Sequence, residues 1–201
     1  MRVSREKSAE TRERILDVAA RLFREKGFDG IGLADIMKAA GLTHGGFYKH
    51  FGSKDDLEAQ ATGVALATVA AYWSRLIERA AARPLSALTD EYLSPRHRDD
   101  PGTGCALAAL GPDVARQGER VRSAFTAGLE PFLQLLSSAI PGRSKAVRRR
   151  QAITTIAEMI GALILARAVD DPALSDEILA AASLNLSEMP DGSRADEIRT
   201  P

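Results

Sequence analysis

The sequence predicts an all-α protein of about nine helices, and three observations support this fold class. Aromatic residues make up 5% of the 201 residues, and alanine and leucine dominate the apolar set, which favours helix over sheet. Apolar residues recur at helical spacing in most segments. Glycine, proline and capping residues stand between those segments. With 45% hydrophobic and 27% charged residues, the chain can form a substantial core.

The first two predicted helices occupy residues 10–26 and 32–41. In the first, apolar side chains at 15, 16, 18, 19, 22 and 23 share one face, and Gly27 follows as the C-cap. In the second, residues 33, 36, 37 and 40 share a face and Gly41 ends it. Ile31-Gly32 precedes this helix, and glycine is an acceptable N-cap.

A third helix is predicted from the N-cap Thr43 to about residue 51, after a turn that contains Gly41. The short connection between the second and third helices is typical of a helix-turn-helix. Ser53 then caps a fourth helix, in which Asp55 and Asp56 complement the helix dipole. This helix is predicted to run as far as residue 84.

The remaining pattern is also helical. Residues 85–93 predict a short helix, and residues 94–104 predict a polar loop rich in proline, glycine and aspartate. Residues 105–139 predict a short helix and a longer one that begins near residue 117. Two further helices are expected at 145–169 and 172–186, and the polar tail, residues 187–201, is predicted to be disordered.

Composition also bounds the compartment and the chemistry. Cys105 is the one cysteine, so no intrachain disulfide can form, and the first 20 residues lack an apolar signal-peptide core. No run approaches 18 consecutive apolar residues, so we predict no membrane span and a cytoplasmic location. His44 and His50 have no metal-ligand spacing with Cys105, and we expect no metal or cofactor.

Charge is unevenly distributed along the chain. Residues 1–54 carry 11 Lys and Arg against 7 Asp and Glu, a net charge of +4 in a protein whose overall net charge is zero. This asymmetry suits an N-terminal module that binds an anionic partner. The Arg148-Arg149-Arg150 run is more typical of a solvated helix face.

Residues 43–54 combine the features that a recognition helix needs. Phe47 and Phe51 are four residues apart and can pack against the domain's own core, which leaves a polar face outward. That face would carry Thr43, His44, Tyr48, Lys49 and His50. Gly45-Gly46 would let the backbone approach the DNA. As alternatives the pair could form a turn or an anion nest, but no strand or G-x-x-x-x-G-K pattern accompanies it.

The run "ILDVAARLFREKGFDGIGLADIMKAAGLTHGGFYKHFGSKDDL" (15–57) resembles the DNA-binding domain of tetracycline-repressor-type (TetR/AcrR) transcriptional regulators. The resemblance implies a helix-turn-helix DNA-binding domain at residues 1–52 and a helical ligand-binding and dimerisation domain at 53–186. It implies DNA contacts from Thr43, His44, Gly45, Gly46, Tyr48, Lys49, His50 and Lys54. Many members of the family have Thr or Ser at the start of the second helix, whereas this chain has Ile31-Gly32. The phosphate contact that a hydroxyl would make at this position is therefore not expected here.

Two other functions compete with a ligand-responsive regulator. A helical enzyme would need an organised nucleophile, carboxylate pair or metal cluster, and His97, Asp99, Asp100 and Cys105 lie in the predicted polar loop or at its edge. A purely architectural DNA-binding protein would leave the long helical region after residue 54 unexplained. We therefore predict a regulator and no enzyme.

An apolar or amphipathic effector is expected between helices of the C-terminal region. Helical position suggests ten lining residues: Tyr72, Trp73, Leu76, Tyr92, Cys105, Phe125, Leu129, Phe132, Met159 and Leu163. An ordinary core role is the alternative for each of them. Cys105 follows Gly104 at a predicted helix N-terminus, where a thiol can become reactive, although a buried apolar role is the alternative.

A homodimer is expected from the last two helices. Residues 153–169 are apolar around much of the circumference, and the small residues Ala157, Gly161 and Ala162 would allow close approach of a second copy. With residues 178–186 they could form a four-helix interface, as the family does. A two-fold dimer presents two recognition helices, so double-stranded DNA with an inverted repeat is the expected partner.

Overall fold

The computed structural model describes residues 2–80, 82–141 and 144–187, and its helices confirm the all-α class. Within these ranges there are nine α-helices, one 3-10 helix and no strand. The helices of the first part are α1 (Arg2–Lys26), α2 (Leu33–Ala39), the 3-10 helix (His44–Lys49) and α3 (Lys54–Arg79). The others are α4 (Pro84–Tyr92), α5 (Pro95–Asp99), α6 (Ala106–Val114), α7 (Glu119–Ala139), α8 (Lys145–Ala168) and α9 (Pro172–Ser187).

The third helix differs from its prediction. It is a 3-10 helix of six residues, whereas the sequence suggested an α-helix to about residue 51. Two consecutive glycines explain the change, because each lowers α-helix stability by about 1 kcal/mol relative to alanine. The short, tight form keeps i→i+3 bonds, such as Gly46 N to Thr43 O at 3.0 Å.

Two other elements also differ. Helix α1 begins eight residues before the predicted start, in a charged segment whose side chains from residue 5 to 10 are exposed. The predicted loop at 94–104 contains α5. Its polar composition hid two helix-starting features: Ser94 Oγ accepts from His97 N at 3.2 Å, and Pro95 follows at the first helical position.

The C-terminal helices agree with their predictions. Helices α6 and α7 occupy the predicted 105–139 region, and α8 and α9 end within a residue of their expected positions. Ser144 caps α8 by accepting from Val147 N at 3.2 Å. Helix α8 has the length and hydropathy of a membrane span, with 39% of its most apolar window buried, a test that soluble core helices also pass. Residues 188–201, in the predicted tail, lie outside the described residues.

The described residues form two compact units. The first unit lies within residues 1–69 and 100–129, and the second within 70–99 and 130–201. The predicted DNA-binding domain, residues 1–52, falls inside the first unit. The predicted C-terminal domain, residues 53–186, is divided between the two units. Its helix α6 and the part of α7 up to residue 129 cluster with the N-terminal helices.

Hydrogen bonds at the end of α1 connect three helices of the first unit. Gly27 adopts φ 73°, which ends the helix, and its N–H still donates to Phe23 O at 2.8 Å. The next N–H, of Phe28, donates to Asp113 Oδ2 on α6 at 3.1 Å. The carbonyl of Phe28 accepts from Lys54 Nζ on α3 at 2.6 Å. Phe28 thus links three helices through its backbone, while its ring is fully buried.

Lys54 has a second partner in the same unit. Its Nζ lies 3.4 Å from Glu58 Oε1, and Glu58 is only 5% exposed. Burial raises the pKa of Glu58, and the ammonium of Lys54 opposes that rise. Because the pKa of Glu58 is higher in the folded state, its contribution to stability is greatest below the unfolded pKa and is lost as pH rises through the folded pKa. The ammonium of Lys54 reduces this loss.

The second unit has its own polar links. Arg167 of α8 donates to the carbonyls of His97 at 2.6 Å and Arg98 at 2.9 Å. Ser175 of α9 is buried and donates to Ala166 O at 2.7 Å. These bonds satisfy polar groups where α5, α8 and α9 pack together.

Substitution of Gly27 by alanine should destabilise the protein more than substitution of Gly41. Both glycines have positive φ, where alanine costs about 1–2 kcal/mol. A Cβ at Gly27 would also lie 2.5 Å from Asp113 Oδ2, whereas nothing lies within 4 Å at Gly41. We expect an additional loss of about 1 kcal/mol for Gly27→Ala, from the disturbed Asp113 bond. Urea unfolding of both variants measures the difference, and equal losses would contradict the Asp113 link.

Lys54→Met should destabilise the protein more at pH 7 than at pH 4. At pH 7 it leaves the buried Glu58 carboxylate without its cation, while at pH 4 Glu58 is protonated in the fold. The expected loss at pH 7 is about 1–2 kcal/mol. In a Glu58→Gln background the loss should become independent of pH, since only the bond to Phe28 O remains to be broken. A loss that is the same at both pH values in the Glu58 protein would show that the pair has no role.

Candidate nucleic-acid interface and internal cavity

Phe47 and Phe51 hold the recognition segment, which we define as residues 43–51. Phe47 is 0% exposed and Phe51 is 2% exposed, which confirms their predicted core role. Their rings stack at 5.6 Å between centroids. The Arg12 guanidinium of α1 lies 5.2 Å from the centroid of the Phe51 ring. The segment is therefore attached to its unit by side-chain burial.

The opposite face of the recognition segment is polar and exposed. Thr43, His44 and Lys49 are exposed, Tyr48 is 66% exposed, and His50 is half-buried. The centroids of the His44 and Tyr48 rings lie 6.4 Å apart, and the rings are arranged edge to face. Hydroxyl, imidazole and ammonium groups at such a surface can bond to phosphates and base edges.

Thr43 occupies the N-cap position, but its hydroxyl makes no capping hydrogen bond. The backbone carbonyl of Thr43 already accepts from Gly46 N in the 3-10 arrangement. The predicted side-chain cap is therefore not formed in this structure. Thr43 is exposed.

The two glycines have different surroundings. A Cβ at Gly45 would meet nothing within 4 Å, and Gly45 is exposed. A Cβ at Gly46 would lie 3.7 Å from Met37 Cε, and Met37 is fully buried. Gly45 thus provides the bare surface that the sequence suggested for both, whereas Gly46 faces the core.

Lys54 begins α3 and has partners inside the protein, namely Phe28 O and Glu58. Its side chain is 34% exposed, and an ammonium has three donors, so a phosphate contact is compatible with both bonds. The N-terminus of α3 is closed by Ser53 Oγ, which accepts from Asp56 N at 3.0 Å. Asp56 Oδ2 in turn accepts from Gly52 N at 3.1 Å, which lowers the pKa of Asp56.

Three residues that the sequence did not indicate make long-range bonds within the first unit. Asp113 accepts from Phe28 N, Arg120 lies 3.3 Å from Asp56 Oδ1, and Arg24 Nε donates to Gly102 O at 2.8 Å. Each partner is more than 60 residues away in sequence. No local spacing could therefore have identified them.

The second unit contains a small apolar cavity of about 10 Å³. Four of the predicted effector residues line it: Trp73, Tyr92, Phe132 and Met159. The sequence did not indicate the other four, Leu88, Leu135, Leu136 and Ile156. The cavity is near the smallest volume that can hold one water molecule.

The other predicted effector residues do not line this cavity. Tyr72, Leu76 and Leu163 belong to the same unit, and Tyr72 is 39% exposed with its hydroxyl donating to Glu91 Oε1 at 3.0 Å. Phe125, Leu129 and Cys105 belong to the first unit. Cys105 is fully buried at the N-cap of α6. Its buried position agrees with the apolar alternative.

The aromatic cluster beside the cavity comprises Trp73, Tyr92 and His97. Trp73 lies 5.7 Å from Tyr92 and 5.9 Å from His97, as ring centroids. His97 Nδ1 donates to Tyr92 O at 2.7 Å, and burial lowers the pKa of His97. Trp73 is 3% exposed, and its indole Nε1 has no hydrogen-bond partner among the described residues.

The basic run of α8 is partly exposed and pairs with a residue of α7. Arg149, in the basic run of α8, forms a bidentate pair with Glu130 at 2.6 and 2.7 Å. This pairing agrees with the solvated helix face that the sequence suggested. Among the described residues, no group of three His, Cys, Asp or Glu side chains could hold a metal ion.

Comparison with known proteins gives a consistent result. Residues 15–61 match the family described as "Bacterial regulatory proteins, tetR family". The transcriptional regulator AcrR of Shigella flexneri is 48% identical over 56 residues, which is 28% of this chain and 26% of AcrR. That alignment spans about a quarter of each protein.

A longer similarity extends beyond the recognition segment. The transcriptional repressor NemR of Escherichia coli K12 is 31% identical over 139 residues, covering 65% of this chain and 67% of NemR. The crystal structure of E. coli NemR in its reduced form superposes with a TM-score of 0.73 and 24% identity, over 88% of this chain and 95% of that one. Together with the helix-turn-helix, these similarities show that the chain belongs to the TetR family of DNA-binding transcriptional regulators, which are not enzymes.

Proposed function

We propose that the protein is a homodimeric repressor that binds an inverted-repeat operator and is released by a small-molecule effector in the cytoplasm. The observation that carries the DNA-binding part is the recognition segment, with Phe47 and Phe51 buried beneath an exposed face. On that face we assign DNA contacts to Thr43, His44, Gly45, Tyr48, Lys49 and His50, with Lys54 beside it. Repression is proposed because NemR is named a repressor.

The dimer is supported by apolar side chains that lie exposed on the last two helices. Ile153 and Leu165 of α8 are 47% and 56% exposed, and Leu174 and Leu184 of α9 are 41% and 60% exposed. Helices α8 and α9 pack on each other, so these residues belong to one helical pair. Large apolar side chains exposed on one helical pair suit a protein interface. We propose that a second copy covers it through a two-fold contact.

Effector control is proposed through α3. This helix is continuous from Lys54, three residues after the recognition segment, to Arg79, and it carries Trp73. A molecule bound at Trp73 would act on the same helix that begins beside the DNA contacts. It can lower DNA affinity only if it binds the conformer of low DNA affinity more tightly than the conformer of high DNA affinity.

Selection of bound DNA from a random pool tests the proposed function. We expect an inverted repeat, and we expect affinity for it to fall steeply with salt because Lys and Arg contact phosphates. Leu165→Glu should convert the protein to a monomer and weaken binding to the inverted repeat. Ala127→Glu, at an exposed position of α7, is the matched control and should leave both unchanged. Enrichment of a single half-site, or of no sequence, would contradict the dimeric repressor.

Gly45→Leu should weaken DNA binding without lowering stability. The new side chain enters open space, so the fold tolerates it, but it blocks close approach of the backbone to DNA. We expect at least about a tenfold loss of affinity, equivalent to one good base or phosphate contact. Gly118→Leu places the same bulk at another exposed, open glycine and should not change affinity. Fluorescence anisotropy with the selected DNA measures both. Unchanged affinity for Gly45→Leu would remove Gly45 from the interface.

A further inference from the structure

We infer that the protein has a DNA contact outside the recognition segment, in which Arg5, near the start of α1, binds a phosphate of the DNA backbone. This inference rests on the proposed function, because the phosphate belongs to the same DNA site. It is carried by the length of α1, by the direction in which its inner face points and by the distribution of charge around the helix.

The beginning of α1 adds surface to the first unit and no core. The helix has 25 residues and begins at Arg2. The side chains of residues 5–10, which we call the α1 extension, are exposed, and the first buried side chain among those described in α1 is that of Ile15. A short helical segment is marginally stable in water without packing, and the extension gains none from the core. Its surface is available to a partner.

The inner face of α1 points toward the recognition segment. Leu16 and Ala19 are buried on this face. Arg12, one turn before Leu16, has its guanidinium 5.2 Å from the centroid of the Phe51 ring and donates to Gln60 Oε1 on α3. The exposed polar face of the recognition segment lies on the side opposite its buried phenylalanines. A line from Arg12 through Phe51 thus leads toward the face to which we assign DNA contacts.

Arg5 continues the inner face of α1 beyond this contact. It precedes Arg12 by seven residues, which in a regular α-helix places it about 10 Å further along the axis and within about 20° of the same direction. Arg12 is half-buried against Phe51, whereas Arg5 is exposed. The side chain of Arg5 therefore projects toward the proposed DNA side of the first unit, past the end of the recognition segment.

The inner face of the α1 extension is positive. Ser8 and Ala9, three and four residues after Arg5, are its neighbours on this face, and both are small enough to allow close approach of DNA. The acidic residues lie about 100–160° round the helix from Arg12, on its outer side: Glu6, Glu10 and Glu13. A guanidinium on a face without carboxylates suits a phosphate, because its N–H groups can bond to two phosphate oxygens together.

The dimensions of DNA favour phosphate over base edges as the partner of Arg5. An α-helix with its side chains is about 10 Å across, and the minor groove is about 6 Å wide, so α1 cannot enter that groove. In the proposed complex the recognition segment occupies the major groove. Arg5 then lies beside the groove, where phosphates are exposed, and a phosphate contact adds affinity without reading sequence directly.

Arg5→Gln and Arg14→Gln form a matched pair of variants. Each removes one positive charge from an exposed position of α1. Arg14 lies on the outer side of the helix, four residues after Glu10 and three before Asp17. Fluorescence anisotropy measures binding to two duplexes: the inverted repeat selected from the random pool, and a scrambled duplex of the same length and base composition.

Arg5→Gln should weaken binding to both duplexes by the same factor, about tenfold at roughly 0.1 M salt, because a phosphate contact is independent of sequence. The slope of log affinity against log salt should become shallower by about one for each protomer bound. Arg14→Gln should keep the wild-type affinity and slope. Arg5→Lys keeps the charge and should recover most of the affinity and the slope.

Neutral methylphosphonate groups, placed at one phosphate at a time in the selected inverted repeat, locate the contact. We expect one phosphate in each half-site at which this substitution weakens binding by the wild-type protein and by Arg14→Gln. The same substitution should have no further effect on Arg5→Gln, which has already lost the contact.

Equal affinities and salt slopes for Arg5→Gln and Arg14→Gln would overturn the inference and leave DNA recognition by residues 43–51 intact. An Arg5→Lys variant that binds as weakly as Arg5→Gln would also overturn it, since the charge would then have no role. A change in the ratio of affinities for the two duplexes would assign Arg5 to base reading and refute the phosphate contact. If the wild-type protein binds neither duplex, both the proposed function and the inference are refuted.

Discussion

The recognition segment depends on the burial of two phenylalanines. Residues 44–49 form only a short 3-10 helix, and two glycines at its start lower its intrinsic stability. Phe47 and Phe51 compensate by placing their stacked rings in the core of the first unit. Because the anchors face inward, the other side of the segment can be bare and polar. The same division of faces makes the segment suited to a DNA groove.

The anchored segment needs a rigid frame, and the backbone of Phe28 provides one. Its N–H donates to Asp113 and its carbonyl accepts from Lys54, so α1, α3 and α6 meet at one residue. Lys54 holds Phe28, offsets the buried charge of Glu58 and lies three residues after the recognition segment, to which we assign DNA contacts. A substitution at Lys54 therefore alters stability through both internal partners, and the Glu58→Gln background leaves only the bond to Phe28 O to be lost.

Local pattern predicted most of this molecule. Helical spacing and caps identified α2 to α4 and α6 to α9, although α3 ends at Arg79 and not at the predicted residue 84, and the spacing of Phe47 and Phe51 identified the anchors. The pattern missed α5, whose Ser94-Pro95 start is hidden in a polar stretch. It also missed Asp113, Arg120 and the cavity residues Leu88 and Ile156, because long-range packing determines them and sequence spacing does not. For the glycines, sequence could not distinguish Gly45, which faces outward, from Gly46, which faces Met37.

The central claim is that residues 43–51 form the DNA-binding surface of a regulator whose Phe47 and Phe51 face the protein. Hydrogen–deuterium exchange with and without the selected inverted-repeat DNA tests it most directly. We expect DNA to slow exchange at residues 43–54, and we expect high salt, which releases the DNA, to remove this protection. Protection confined to another surface, with exchange in the recognition segment unchanged, would contradict it.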